Sequence, residues 1–107
     1  MPMINIEYDN NVVSDSDAES ISKAIKDIVS EETGIEDVFV YTNTSTIKVK
    51  VAPIEIFIRM TRTKIKDDNF LVSKIKTKIK GWKKLNSFQH PVNLTLIPMD
   101  WKVEIGI

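Results

Sequence analysis

Two stretches of the chain hold residue types that could do chemistry. One is the opening, "MPMINIEYD", in which Pro2 follows Met1. Aminopeptidases remove Met ahead of small residues, and the secondary amine of Pro2 would then be free to act as a base. An unperturbed α-amino group titrates at about 7.7 to 8.0, and proline's amine somewhat higher. Burial and nearby cations both disfavour the charged form, which would bring the amine toward the pH at which acid/base catalysis works best. The other stretch is "FIRMTRTK", where Arg59 and Arg62 stand close together on a basic segment. Surface exposure is the ordinary fate of such residues, yet a planar guanidinium is also the group that grips a carboxylate through two hydrogen bonds.

Other reactive groups are scarce. The chain has no Cys, which excludes disulfides, thiolate zinc sites and thiol nucleophiles together. A single His90 leaves no histidine cluster, so no metal and no cofactor are expected. His90 precedes a proline in "FQHPVN" and has no partner identifiable from sequence, which makes it a surface histidine.

Strands and helices must place these groups. In "PMINIEY", Ile4, Ile6 and Tyr8 alternate with Met3, Asn5 and Glu7, the period of a half-buried strand. Ser16 followed by Glu19 makes a capping box, and Ala18, Ile21, Ile25, Ile28 and Val29 then fall on one face of a helix over about Asp17 to Thr33. Gly34 suits its left-handed end. "DVFVYT" reads as a strand, "NTS" as a tight connection, and "STIKVKV" as strand-like alternation of Ile47, Val49 and Val51 with Lys48 and Lys50. "PIEIFIRM" follows as a strand that Pro53 should begin or place at an edge. Residues 67 to 85 put Leu71, Ile75, Ile79 and Trp82 on a helical stripe, although Ile and Lys also alternate there as in a strand. Asp67 and Asp68 at the start and lysines toward the end suit a helix dipole. "VNLTLIPM" is a last strand, and "DWKVEIGI" a short extra strand or an ordered tail. The order is that of a duplicated β-α-β unit: an α+β fold with a four-stranded mixed sheet and two helices on one face.

Composition bounds the classes. At 107 residues a single domain spanning 1–107 is expected, globular and free of any apolar run long enough for a membrane helix. The opening has no signal-peptide pattern, which makes the cytoplasm the default compartment. Net charge is zero but unevenly placed: residues 59 to 84 carry 10 Lys/Arg against 2 Asp/Glu, and residues 1 to 58 carry 4 against 11. A basic helix could neutralise phosphates. Without stacking aromatics in the central strands, a solvated face paired with acids of the first helix explains the lysines more simply, and nucleic acid is not the expected partner.

The doubled β-α-β order starting at Pro2 resembles the tautomerase superfamily, which includes 4-oxalocrotonate tautomerase, macrophage migration inhibitory factor and malonate semialdehyde decarboxylase. The resemblance covers nearly the whole chain through short motifs. It implies a homotrimer with Pro2 as the catalytic acid or base. "FIRMTRTK" occupies the place where the decarboxylase branch carries two closely spaced arginines that hold a substrate carboxylate, which implies that role for Arg59 and Arg62. "MDWKVEIG" is similar to the family's C-terminal stretch, in which an aromatic residue lines a neighbouring subunit's pocket, and Trp101 is the residue implied. The expected activity is tautomerase or isomerase chemistry on a small 2-oxo or unsaturated carboxylic acid, with decarboxylation or hydration open as variants. The arginines of the tautomerase branch are absent from "DNN" and "VFVYT", and Ile35 stands where the inhibitory-factor branch has a lysine. A non-catalytic, oligomeric binding module of the same fold is the alternative.

Overall fold

The computed structural model describes residues 1–107. Alternation of apolar and polar side chains builds its two central strands. β1 (Met3–Tyr8) buries Ile4 and Ile6, and β3 (Ile54–Thr61) buries Ile54, Ile56, Ile58 and Met60. Because successive side chains of a strand point to opposite faces, these residues all line one side of the sheet. β2 (Phe39–Asn43) and β4 (Asn93–Met99) complete a four-stranded mixed sheet in the order β2-β1-β3-β4. β1 runs parallel to β2 and antiparallel to β3, while β4 runs parallel to β3. Helices α1 (Asp15–Thr33) and α2 (Asp68–Leu85) each connect one parallel pair, so the duplicated β-α-β unit read from the sequence is present.

Local chemistry sets the helix ends. Ser14 is extended and its hydroxyl accepts the Asp17 N–H at 3.0 Å, so α1 starts at Asp15, ahead of the expected Asp17. The expected capping box fails because Ser14 has already supplied the cap, which leaves Ser16 and Glu19 inside the helix. Gly34 closes α1 with φ 70° and an N–H bond to the Ser30 carbonyl, as its type suggests. Asp67 caps α2 by accepting the Phe70 N–H at 3.0 Å. At the far end Ser87 takes the left-handed conformation, φ 51°, and the Phe88 N–H bonds the Lys83 carbonyl at 2.9 Å. That is a Schellman ending, with the Phe88 ring 5.0 Å from that of Trp82 as its apolar clasp.

The helical stripe of α1 is buried at all five positions, Ala18, Ile21, Ile25, Ile28 and Val29. α2 contributes Ile75 and Ile79, with Leu71 and Trp82 half-buried beside them. Both helices pack on the isoleucine side of the sheet and against each other, each fully buried isoleucine contributing about 1.5–3 kcal/mol. No helix is long and apolar enough to cross a membrane.

Two expectations for the segment between β2 and β3 are corrected. "STIKVKV" forms no strand: Ile47 is 85% and Val49 98% exposed, and residues 44–53 are an irregular crossover with no tight "NTS" turn. β1 lies between β2 and β3, so the connection must pass over the end of β1, where no strand runs alongside to accept its hydrogen bonds. Of the two forms expected for "DWKVEIGI", a short extra strand or an ordered tail, the strand is absent beyond β4. Pro53 does precede β3, and its carbonyl accepts the Asp9 N–H at 3.0 Å.

The second face of the sheet has no helix on it. The strand register sorts its residues into rows. Glu7 and Glu55 face each other, with Asn93 beside Glu55; Asn5 and Phe57 form the next row with Tyr41 and Thr95; Met3 and Arg59 the next, with Phe39 and Ile97.

Candidate active site at one end of the sheet

Parallel and antiparallel pairing together bring the start of β1, the start of β2, the end of β3 and the end of β4 to the same edge of the molecule. Pro2 is one residue ahead of Met3, which pairs with Arg59 on one side and Phe39 on the other. Its ring is fully buried and its carbonyl accepts the Phe39 N–H at 3.2 Å. β3 ends at Thr61 and passes into one turn of 3-10 helix at Arg62–Lys64, while β4 ends at Met99, directly opposite Thr61. Asp100 and Trp101 therefore arrive beside the same turn.

The two arginines hold different partners. Arg59 is half-buried on the open sheet face, where its Nη1 donates to Asn5 Oδ1 at 2.7 Å. Arg62 is exposed beyond the strand end, where its Nε lies 3.1 Å from Asp100 Oδ1. It also walls a cleft of about 320 Å³ with Asp67, Asp68 and Pro98. Trp101 is half-buried, its indole N–H bonded to Thr61 Oγ1 at 3.0 Å. Pro2 lines none of the five main clefts of the single chain.

Elsewhere the packing revises or supports the reading of charged groups. His90 is not without a partner: Nε2 lies 2.9 Å from Asp17 Oδ2, and the ring packs edge-on against Phe88 at 5.1 Å. Lys78 of the basic helix bridges Glu31 and Glu32 of α1 at 2.7 and 3.0 Å, the pairing with first-helix acids expected for the lysine run. Its pKa is raised, first by the hydrogen bond to Glu31 and then by that to Glu32. The Tyr8 phenol donates to Asp15 at 2.6 Å, and that bond, with a smaller contribution from burial, raises its pKa too. No group of three His, Cys, Asp or Glu side chains could hold a metal ion.

Three residues of this sheet end were not singled out from sequence: Asn5, Thr61 and Asp100. Each is an ordinary polar residue whose importance comes from a partner 38 to 54 positions away. The only available signal was parity, because Asn5 and Arg59 share a sheet face once β1 and β3 are aligned.

The chain is thus a mixed sheet of two β-α-β units with helices on one side, the other side open and Pro2 just ahead of the first strand. No family model and no curated protein matches the chain by sequence. Solved structures do match by fold. A 5-carboxymethyl-2-hydroxymuconate delta-isomerase superimposes with a TM-score of 0.69 at 14% identity, over 99% of this chain and 89% of its own. Malonate semialdehyde decarboxylase gives 0.69 at 10% identity, over 98% and 92%. A domain of unknown function from Sebaldella termitidis gives 0.67 at 14%, over 100% and 98%. The chain thus shares its fold with an isomerase, a decarboxylase and a domain of unknown function.

Proposed function

We propose that the chain is a tautomerase-type enzyme that moves a proton next to the carbonyl of a small 2-oxo or unsaturated carboxylic acid. Pro2, freed by removal of Met1, is the acid/base. Decarboxylation or hydration of such an acid uses the same proton donor and carboxylate clamp. Malonate semialdehyde decarboxylase, a neighbour by fold, has decarboxylase and hydratase activities.

The observation that carries this reading is the convergence of Pro2, Thr61, Arg62 and Trp101 at one end of the sheet. Arg62 is the carboxylate anchor, because its partner Asp100 is an exposed residue that a substrate carboxylate can replace, and exposed pairs are held by only about 0–1 kcal/mol. Arg59, bonded to Asn5 on the open sheet face, is not needed for that role. Trp101 walls the site or reaches that of a neighbour. Since the single chain encloses no main cleft around Pro2, the pocket is completed by further copies in a homotrimer.

A second reading, a non-catalytic oligomeric binding module, draws on the full burial of the Pro2 ring and on both arginines already having protein partners. One experiment separates them: intact mass of the untagged protein, before and after incubation with pyruvate and cyanoborohydride. Loss of one methionine and an adduct mapped to the Pro2 peptide support the enzyme. Retained Met1, or a Pro2 amine no more reactive than an ordinary N-terminus, removes the proline mechanism and leaves the binding module.

A further inference from the structure

Past Asp68 in its first turn, α2 carries lysines at 74, 76, 78, 80, 83 and 84 and no acid. Only Lys78 is neutralised, by Glu31 and Glu32 of α1; the other five form no ion pair. Each residue of an α-helix turns about 100° from the one before, so Lys76 and Lys80 lie on the side of α2 away from Lys78 and the α1 acids. Lys76, Lys80 and Lys84, four apart, make one exposed row, with the half-buried Lys83 beside it and Ser73 and Thr77 as polar neighbours. The helix dipole accounts for Lys83 and Lys84 in the last turn. Its influence fades beyond that turn, which leaves Lys76 and Lys80 without a structural reason. α2 follows the end of β3 and returns to the end of the sheet where β4 begins, so its basic second half stands away from Pro2 and Arg62.

We infer that this outer face of α2 binds the phosphate backbone of duplex DNA without regard to base sequence. From Lys76 to Lys84 the row is about 12 Å long at 1.5 Å per residue. One strand of a duplex presents a phosphate about every 3.4 Å along the axis, so the row spans three to four of them. What the row lacks selects the partner. It has none of the aromatic, Met or Arg residues that form the dry centre of a protein interface, where Lys is depleted. The apolar face of α2 is occupied by the core, through Ile75 and Ile79, and so cannot sink into a bilayer. Of the helix's exposed apolar residues, Phe70 lies beneath Lys74 at 5.9 Å and Leu85 faces the cleft between the helices. Neither stands in the row as a stacking platform for single-stranded bases. The outer half of a helix matches the wide major groove of B-form DNA and the phosphates bordering it, whereas the deep, narrow major groove of A-form RNA does not admit it.

The test is fluorescence anisotropy of a short labelled DNA duplex of arbitrary sequence, titrated with the full chain across a salt series. The wild type is expected to bind, with log affinity falling linearly with log salt at a slope of about −3 to −4. Each of Lys76→Gln, Lys80→Gln and Lys84→Gln should make that slope shallower by about one. The three together should weaken binding at least about tenfold at low salt. Lys23→Gln, which removes an exposed cation of α1 paired with Glu19, should leave the slope unchanged. Lys and Gln have similar helix propensities, and far-UV circular dichroism confirms that the variants are folded. No binding to the duplex at low salt overturns the inference. So does a slope that responds equally to Lys23→Gln and Lys80→Gln, which would report net charge alone. Tighter binding to duplex RNA, to single-stranded DNA or to anionic lipid vesicles overturns the assignment to duplex DNA. Reductive trapping at Pro2 in the triple variant reads the enzymatic proposal separately and should be unchanged.

Discussion

The indole N–H of Trp101 donates to the hydroxyl of Thr61 at 3.0 Å, tying the residue that follows β4 to the last residue of β3. β3 and β4 pair in parallel up to Thr61 and Met99, so this bond extends their contact by one step beyond the ladder. It holds the start of the C-terminal tail against the sheet end at which Pro2 and Arg62 stand. Val103, Ile105 and Ile107 beyond it are exposed.

Replacing Trp101 by Phe keeps most of the ring and removes the donor. A net loss of about 0.5–1.5 kcal/mol is expected, the ordinary worth of one intramolecular hydrogen bond. Urea unfolding of the two proteins measures it. A midpoint unchanged within error would mean that the tail is not held through this bond.

Asp100→Asn separates the stability of the Arg62 pair from its chemistry. The pair is exposed on both sides, so unfolding free energy should move by less than about 1 kcal/mol. If Arg62 binds substrate carboxylate, the variant offers a freer guanidinium, and KM for a reactive 2-oxo acid should fall with kcat little changed. Arg62→Ala should raise KM instead. A KM that ignores both substitutions would take Arg62 out of the site.

Ser87→Gly should stabilise the protein. Ser87 holds φ 51° at the Schellman end of α2, a conformation that disfavours a residue with a Cβ by roughly 1 kcal/mol and that glycine adopts freely. The greater freedom of glycine in the unfolded chain offsets part of this gain. A thermal midpoint one to a few degrees higher, on the order of what 0.5 kcal/mol produces in a domain this size, is the expected outcome.

Alkaline pH acts on two pairs in the same direction. Tyr8 and Lys78 both have raised pKa values, Tyr8 chiefly through its hydrogen bond to Asp15 and Lys78 chiefly through that to Glu31. In each case the folded state favours the protonated form. Stability from these pairs is therefore complete below the unfolded values, about 10 for both types, and is lost as pH rises through the folded ones. Unfolding free energy should be insensitive to these groups near neutrality and decline above about pH 10. Tyr8→Phe and Lys78→Met should each flatten the decline. Phenolate absorbance should place Tyr8 above an ordinary tyrosine, and Asp15→Asn should bring it down; an unshifted midpoint would contradict the Tyr8–Asp15 bond.

Much of the architecture is legible in the chain because it follows from side-chain periodicity. Ile4 with Ile6, and Ile54 with Ile56 and Ile58, mark strand faces by alternation alone, and the stripe from Ala18 to Val29 marks a helix. The Ile–Lys run of α2 fits both periods, and its length with an acidic start and basic end pointed correctly to a helix. Periodicity misled at "STIKVKV", where alternation describes a strand that could form but says nothing of a neighbour to pair with. The strand order leaves that segment crossing over β1 alone. Ser14 and Ser16 are equally good capping residues on paper, and the path of the chain out of β1 chose the first.

The sequence by itself pointed to both helices, the four strands and the buried faces, excluded thiol chemistry, and marked the residues worth watching: Pro2, Arg59, Arg62 and Trp101. Only the tertiary structure decided their partners, because hydrogen bonds between distant positions depend on strand order and register. It set Arg59 against Asn5 on the open face, Arg62 against Asp100 and Trp101 against Thr61, and it joined His90 to Asp17 across 73 positions. A one-residue slip between β1 and β3 would have turned Asn5 to the face opposite Arg59. Register set Arg59 beside Asn5, and the end of β3 at Thr61 left Arg62 outside the sheet.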